Sequence, residues 1–416
     1  MYRLRKRVVV TGQGVITPVG LNVKDFWDSL IKGKSGIEDI TTFDVEDIPT
    51  KIGATVKDFD PLQYMTKKEA NKVAQFTQFA LAAAHQAIEQ SQLVINEHNA
   101  PRVGVIVGSG AGGLDIVEEN YKKLNEIGPK RVSPHFVSAM MINSAAGEIS
   151  IALGAKGPSF AVVTACATGS TAIGEALRTI QYGTADVVVA GGAEANFSRL
   201  DLASFANIHA LSRRNNEPQK ASRPFDTGRD GFVIGGGAGV VILEELEHAL
   251  HRGANILAEV VGYGCTTDAY HITAPDPSGS GPAEAIRLAL EDGNVLIEEV
   301  DYINAHGTST PFNDQMEINA IRKIFGDHAL KLSISSIKSM TGHLMGGAGA
   351  VELIATVQTL LHSKIPPTLN CDQPEDPELN FVPHVYQEKE VQAAISNSFG
   401  FGGHNVCIAV RKWKGE

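Results

Sequence analysis

The chain has 416 residues, 43% hydrophobic and 20% charged, which fits a soluble globular protein with sizeable buried cores. Its formal net charge of −11 speaks against a general nucleic-acid binder, because phosphate recognition needs a surplus of Lys and Arg. The four cysteines, at 166, 265, 371 and 407, form no CxxC pair, so neither a disulfide framework nor a zinc site is expected, and the thiols read as cytosolic.

The opening stretch Met1-Tyr2-Arg3-Leu4-Arg5-Lys6-Arg7 is basic, but Val8-Val9-Val10 runs straight into Thr11-Gly12-Gln13-Gly14. That leaves no apolar segment of signal-peptide length, and no apolar run is long enough to span a membrane. Short β-branched runs then alternate with longer helical patterns, which predicts an α/β fold with a buried sheet. Core strands are expected at residues 7–10, 103–107, 160–164, 187–190 and 239–243. Residues 73–90 place Val73, Phe76, Phe79, Ala80, Ala83 and Ala87 on one helical face, and residues 168–181 do the same with Ile173, Leu177 and Ile180.

The second half repeats this order. Residues 258–261 and Gly262-Tyr263-Gly264 echo residues 8–10 and Gly12-Gln13-Gly14. A helix at 282–290 answers 73–90, a strand at 301–304 answers 103–107, and 332–337 with a helix through Leu361 answers 160–181. Strands at 393–396 and 406–410 close the repeat. Two pseudo-symmetric halves follow, 1–254 and 255–416, joined near residues 252–256. Reactive groups in such folds belong at strand C-termini and in the loops beyond them.

Cys166 fits that rule. An apolar strand ends in Val163-Thr164-Ala165-Cys166-Ala167-Thr168-Gly169-Ser170, and a helix begins at or just after the sulfur. Unpaired N–H groups at a helix start favour a thiolate, and the small neighbours leave room for a substrate, as acyl transfer requires. The other three cysteines read as small buried hydrophobes. His306, after strand 301–304, and His343, after 332–337, occupy the same kind of position in the second half, so the three can converge on one cavity. Neutral imidazoles there can stabilise a developing enolate.

Gly108-Ser109-Gly110-Ala111-Gly112-Gly113 matches GxGxxG, but no second strand ending in an acidic residue follows about twenty positions on, so a dinucleotide site is not expected. Asn397-Ser398-Phe399-Gly400-Phe401-Gly402-Gly403 is a glycine–aromatic turn between two strands, able to aim N–H groups at a ligand while Phe401 opens or blocks a pocket.

Taken with Thr11-Gly12-Gln13-Gly14-Val15-Ile16-Thr17-Pro18, Ser222-Arg223-Pro224-Phe225-Asp226, Asp230-Gly231-Phe232-Val233, Asn304-Ala305-His306-Gly307-Thr308-Ser309-Thr310 and Lys338-Ser339-Met340-Thr341-Gly342-His343, these segments carry a resemblance along essentially the whole chain. It resembles the β-ketoacyl-[acyl-carrier-protein] synthases of the thiolase superfamily, in particular their elongating type II members. The resemblance implies a five-layered αβαβα fold, a homodimer and a cytoplasmic condensing enzyme. Its catalytic set would be Cys166, His306 and His343, with Lys338 organising charge beside Glu352. The reaction implied is decarboxylative condensation of malonyl-[acyl-carrier-protein] with an acyl chain held on Cys166, elongating fatty acids by two carbons. The N–H groups of Cys166 and Phe401 would form the oxyanion hole, Phe401 would gate malonate, and Thr308 and Thr310 would bind the phosphopantetheine arm. No cofactor or metal is implied, and acyl carrier protein is the partner.

Without the resemblance, Lys338 and Glu352 would read as a structural ion pair. His404 stands where the family commonly has Thr, and Ala111 where a bulkier aliphatic is common, so a deeper acyl pocket is expected. Lys67, Lys68, Lys72, Arg213 and Arg214 are candidates for docking an acidic carrier. A type II polyketide or aryl-chain ketosynthase with the same triad is the alternative. A degradative thiolase would need a second catalytic cysteine, a chain-length partner subunit would lack Cys166, and an oxidoreductase rests only on the glycine loop.

Overall fold

Valine-rich segments ending in glycine open each half of the chain, and in the computed structural model, which describes residues 5–415, they meet at its centre. Residues 1–4 of the basic opening stretch lie outside the described residues. The first half contributes β1 (Val8–Ile16), β2 (Val103–Gly108), β3 (Ser159–Phe160), β4 (Val187–Glu194) and β5 (Gly237–Glu245). The second contributes β6 (Ala258–Thr267), β7 (Val300–Asn304), β8 (Ser333–Ser335), β9 (Ala393–Gly400) and β10 (His404–Lys412). Their order is β8-β7-β9-β10-β6-β1-β5-β4-β2-β3, so the two sets of five mirror one another about the β6–β1 seam. That seam is short, with Val8–Val10 paired antiparallel to Ala258–Val260.

Six helices of 13 or more residues stand among the described residues: α1 (Gln75–Ser91), α2 (Leu114–Glu126), α3 (Thr168–Gln181), α4 (Ser280–Asp292), α5 (Pro311–Phe325) and α6 (Ala348–His362). Helices α3 and α6 pack together between the two five-strand sets, α1 covers the outer face of the first, and α4, with α5 against it, covers the second. This is the expected αβαβα layering. It explains why the strands are apolar on both faces. In β5, Val241 and Leu243 face the central core with Ile173 and Leu353, while Val240 and Ile242 face the α1 side with Phe79 and Ala83. Each fully buried aliphatic side chain of this kind is worth roughly 1.5–3 kcal/mol.

The glycines at the two strand openings do the same work in both halves. A Cβ on Gly14 would lie 1.9 Å from the carbonyl oxygen of Ala83 in α1, and one on Gly264 would lie 1.9 Å from that of Ala285 in α4. Close approach of helix to strand is the reason for glycine here.

Two expectations are corrected. The strand expected at 160–164 shrinks to Ser159–Phe160, because it lies at the sheet edge and, among the described residues, pairs with β2 alone. Phe160 and Val163 are exposed there. Cys265 is exposed rather than buried, since it points outward near the end of β6; Cys371 and Cys407 are buried as expected.

Candidate active site

After β3 the chain turns sharply at Ala165, whose backbone is left-handed (φ 49°), and a 3-10 turn over Ala165–Ala167 leads into α3. Two hydrogen bonds lock this turn: Thr168 Oγ1 donates to Ala165 O at 2.8 Å, and Thr164 N donates to Thr168 Oγ1 at 2.9 Å. Cys166 is thereby held at the head of a helix, with its side chain buried. The expected preference for a thiolate is outweighed. Burial pushes the thiol up to about 11, although the Lys338 charge and the N–H groups of Phe401 and of Cys166 itself pull the other way.

His306 follows β7, and its position is set from below. Its N–H donates to Glu317 Oε1 at 2.9 Å, Gly307 N donates to Oε2 at 2.8 Å, and Asn397 Nδ2 adds a bond to Oε1 at 3.2 Å. Burial pushes the Glu317 carboxyl up to about 7 against the pull of these donors. His343 is held by its backbone: its N–H donates to Val233 O at 2.7 Å, and its carbonyl accepts from Gly235 N at 2.9 Å. The two imidazoles stand edge to face with ring centroids 5.4 Å apart. Phe232 packs against His343 and Phe399 against His306.

Lys338 lies behind the rings and is buried with Glu352. Its ammonium donates to Glu352 and, at 2.6 Å, to the carbonyl oxygen of His306, with His306 Nδ1 3.4 Å away. An ammonium can only donate, so Nδ1 accepts and the ring proton belongs on Nε2. Burial, then the Lys338 charge, hold both histidines well below their ordinary range, so both are neutral at physiological pH. Burial raises the Glu352 carboxyl and Lys338 draws it back.

Cys166, His306 and His343 line one cavity of about 310 Å³, together with Thr308, Thr310 and Phe401. The convergence expected from sequence is present: a sulfur from the first half faces two imidazoles from the second. Thr308 and Thr310 share a hydroxyl–hydroxyl hydrogen bond of 2.9 Å, and Thr310 stands just ahead of Pro311 at the start of α5 without a capping bond from its side chain. A second cavity of about 210 Å³ lies on the other side of Phe401 and includes Ala111 in its wall. Cys166, Phe205, Met345 and Phe401 border both cavities. Phe205 and Met345 escaped sequence reading because nothing near them in the chain marks them as a partition.

The glycine loop at 108–113 wraps a carboxylate. Its Ser109 hydroxyl and the N–H groups of Gly110 and Ala111 donate to the carboxylate of Glu194. Arg213 bonds His209 Nδ1 at 2.9 Å, and His209 lines the first cavity, which brings Arg213 to its rim. Arg214 turns to Gly228 O instead, and Lys67, Lys68 and Lys72 are not among the residues lining that cavity. His404 opens β10 opposite Gly400 and lines neither cavity.

The arrangement offers a shielded sulfur, two N–H donors beside it, and two neutral imidazoles within one apolar chamber. Residues 5–249 match the family model "Beta-ketoacyl synthase, N-terminal domain", and residues 257–372 match "Beta-ketoacyl synthase, C-terminal domain". The chain is 51% identical over 412 residues to a 3-oxoacyl-[acyl-carrier-protein] synthase 2 of Synechocystis, covering 99% of both chains. It is 50% identical over 409 residues to the protein of that name from Coxiella burnetii, covering 98% of this chain and 99% of the relative. Among solved structures, a type II PKS acyl-carrier protein in complex with its ketosynthase superposes with a TM-score of 0.91 at 33% identity, covering 98% of this chain and 100% of that one. A β-ketoacyl synthase from Burkholderia phymatum gives a TM-score of 0.91 at 34% identity, with the same coverage.

Proposed function

The chain belongs to the β-ketoacyl synthase family and is a condensing acyltransferase of fatty acid elongation, and we propose that Cys166, His306 and His343 carry its chemistry. The observation that supports this is their meeting in one cavity from opposite halves of the chain. In the first step the Cys166 sulfur attacks the thioester of an acyl carrier protein. The S–C bond to Cys166 forms, the carrier thiolate leaves, and the proton of Cys166 passes to it. The N–H groups of Cys166 and Phe401, which face the sulfur, form the oxyanion hole.

In the second step malonyl carrier protein takes the first cavity, with Thr308 and Thr310 bonding its phosphopantetheine arm. The bond to the carboxylate breaks, carbon dioxide leaves, and the electron pair moves into the thioester as an enolate. The imidazole N–H groups of His306 and His343 hold the enolate oxygen, and neutral rings suit this role because they can donate without first losing a charge contest with Lys338. The enolate carbon then attacks the Cys166 thioester, and the sulfur departs as a thiolate that takes a proton from solvent, leaving a 3-oxoacyl product two carbons longer. Lys338, paired with Glu352, fixes His306 from behind. Phe401 separates the malonyl cavity from the acyl cavity and gates between them. The substrates travel on carrier protein, and no cofactor or metal enters the scheme.

A homodimer fits the outer edge of β3, unpaired among the described residues, where Phe160 is exposed and Val163 shares a surface groove with Met140 and Met141. Four free thiols fit a cytoplasmic protein, and no helix among the described residues is long and apolar enough to cross a membrane. The polyketide alternative is weaker: the fatty-acid relatives stand at about 50% identity, and the type II polyketide ketosynthase at 33%. The test is mass spectrometry. Acyl carrier protein should add one acyl group at Cys166, malonyl carrier protein should then remove it as a 3-oxoacyl chain, and Cys166→Ala should do neither. A modified Cys166→Ala protein would end this reading.

A further inference from the structure

Glu194, the last residue of β4, ends in a carboxylate buried between loops of opposite halves. It accepts Ser109 Oγ at 2.7 Å, Gly110 N at 2.8 Å and Ala111 N at 3.0 Å from the first half. From the second it accepts Gly346 N at 3.0 Å. The fit is tight on both sides. A Cβ on Gly346 would lie 2.4 Å from Gly110 N and 2.8 Å from Glu194 Oε2, and one on Gly110 would lie 2.9 Å from the same oxygen. A carboxylate is costly to bury unless hydrogen bonds replace its water, and here four donors do so.

The two loops it joins have different tasks in the scheme above. The 108–113 loop carries Ala111 in the wall of the second cavity. Gly346 stands three residues after His343, next to Met345, which borders both cavities. Glu194 itself borders the second. We propose that Glu194 is a positioning residue for the condensation, its carboxylate fixing the wall of the acyl cavity to the turn that follows His343. The inference rests on the roles given above to Cys166 and His343. A change at this carboxylate therefore reaches both half-reactions, although Glu194 touches neither imidazole.

The test separates the half-reactions. Glu194→Gln keeps the shape but turns an amide NH₂ towards N–H donors. Acyl transfer to Cys166 would be followed by mass, using short and long acyl carriers. Carbon dioxide release from malonyl carrier would be followed separately, with melting temperature alongside. Both half-reactions should fall on the order of tenfold or more, because small misplacements near reacting groups are costly, and the ratio of long-chain to short-chain transfer should shift. Ser109→Ala removes one donor and keeps the carboxylate, so it should shift the same ratio in the same direction by less. The inference is overturned if carbon dioxide release stays at the wild-type rate, or if all losses track melting and vanish on cooling. Should Glu194→Gln not fold, wild-type half-reactions in Ser109→Ala would overturn it alone. A wild-type protein that never acylates at Cys166 would instead sink the functional reading beneath it.

Discussion

The ammonium of Lys338 sits 2.6 Å from the carbonyl oxygen of His306, so a fixed positive charge stands directly behind one of the two imidazoles. Its counter-ion, Glu352, is equally buried. The pair therefore does two separable things: it balances charge in the core, and it sets the tautomer and electrostatics of His306.

Separating them gives the first prediction. Lys338→Met leaves Glu352 charged and buried without its partner, at a cost of about 3–5 kcal/mol in urea unfolding. Adding Glu352→Leu should recover most of that stability, since an apolar pair can replace a buried ion pair with little loss. Condensation should stay low in both. Recovery of activity with stability would show that the pair serves only the fold.

Cys166 gives the second. Burial holds its thiol at about 11, so only about one sulfur in ten thousand is ionised at pH 7 in the free enzyme. Alkylation of Cys166 by iodoacetamide should rise close to tenfold per pH unit between 7 and 9. Lys338→Met should slow it further at each pH, because the lysine charge lowers the thiol pKa. A plateau below pH 8 would contradict the burial argument.

The third concerns stability and pH. His306 and His343 have folded pKa values below the unfolded value of about 6.5, so their contribution is complete above that pH. It is lost as pH falls, because the unfolded chain takes up protons that the buried rings refuse. Each ring can add a slope of up to about 1.4 kcal/mol per pH unit. His343→Asn should therefore flatten the unfolding profile between pH 7 and 5. His248 has the opposite sign: its bond to Glu244 raises its pKa, so its contribution is present below 6.5 and fades as pH rises through the folded value. Parallel profiles for His343→Asn and wild type would remove the first effect.

The fourth concerns chain length. Ala111 borders the cavity of about 210 Å³ beyond Phe401. Ala111→Ile places three further carbons at that wall and should slow long-chain transfer to Cys166 relative to short-chain transfer. Equal ratios in the two proteins would show that Ala111 does not bound the acyl chain.

Cys166, His306 and His343 were legible because each stands where an apolar run stops beside small residues, and the glycine pairs at 12–14 and 262–264 marked the repeat. Residues 161–164 were misread because a hydrophobic run does not say whether it lies inside a sheet or at its edge. Glu317 and Glu194 were not found at all. Most of their partners are backbone N–H groups, which every residue but proline carries, and in the case of Gly346 the donor lies 152 positions away. Glu317 did leave a trace: with Asp314 it places acids three apart on the buried face of α5, beside Ile318 and Ile321.

The mirrored order of the strands has a consequence for how the protein could be divided. A chain severed at the exposed Gly253 would give two pieces, each owning a complete set of five strands. One would have sulfur and no imidazole pair, the other the reverse, so turnover by a mixture would report reassembly and either piece alone would be silent. The scaffold is laid down twice, and the proposed reaction needs both layings at once.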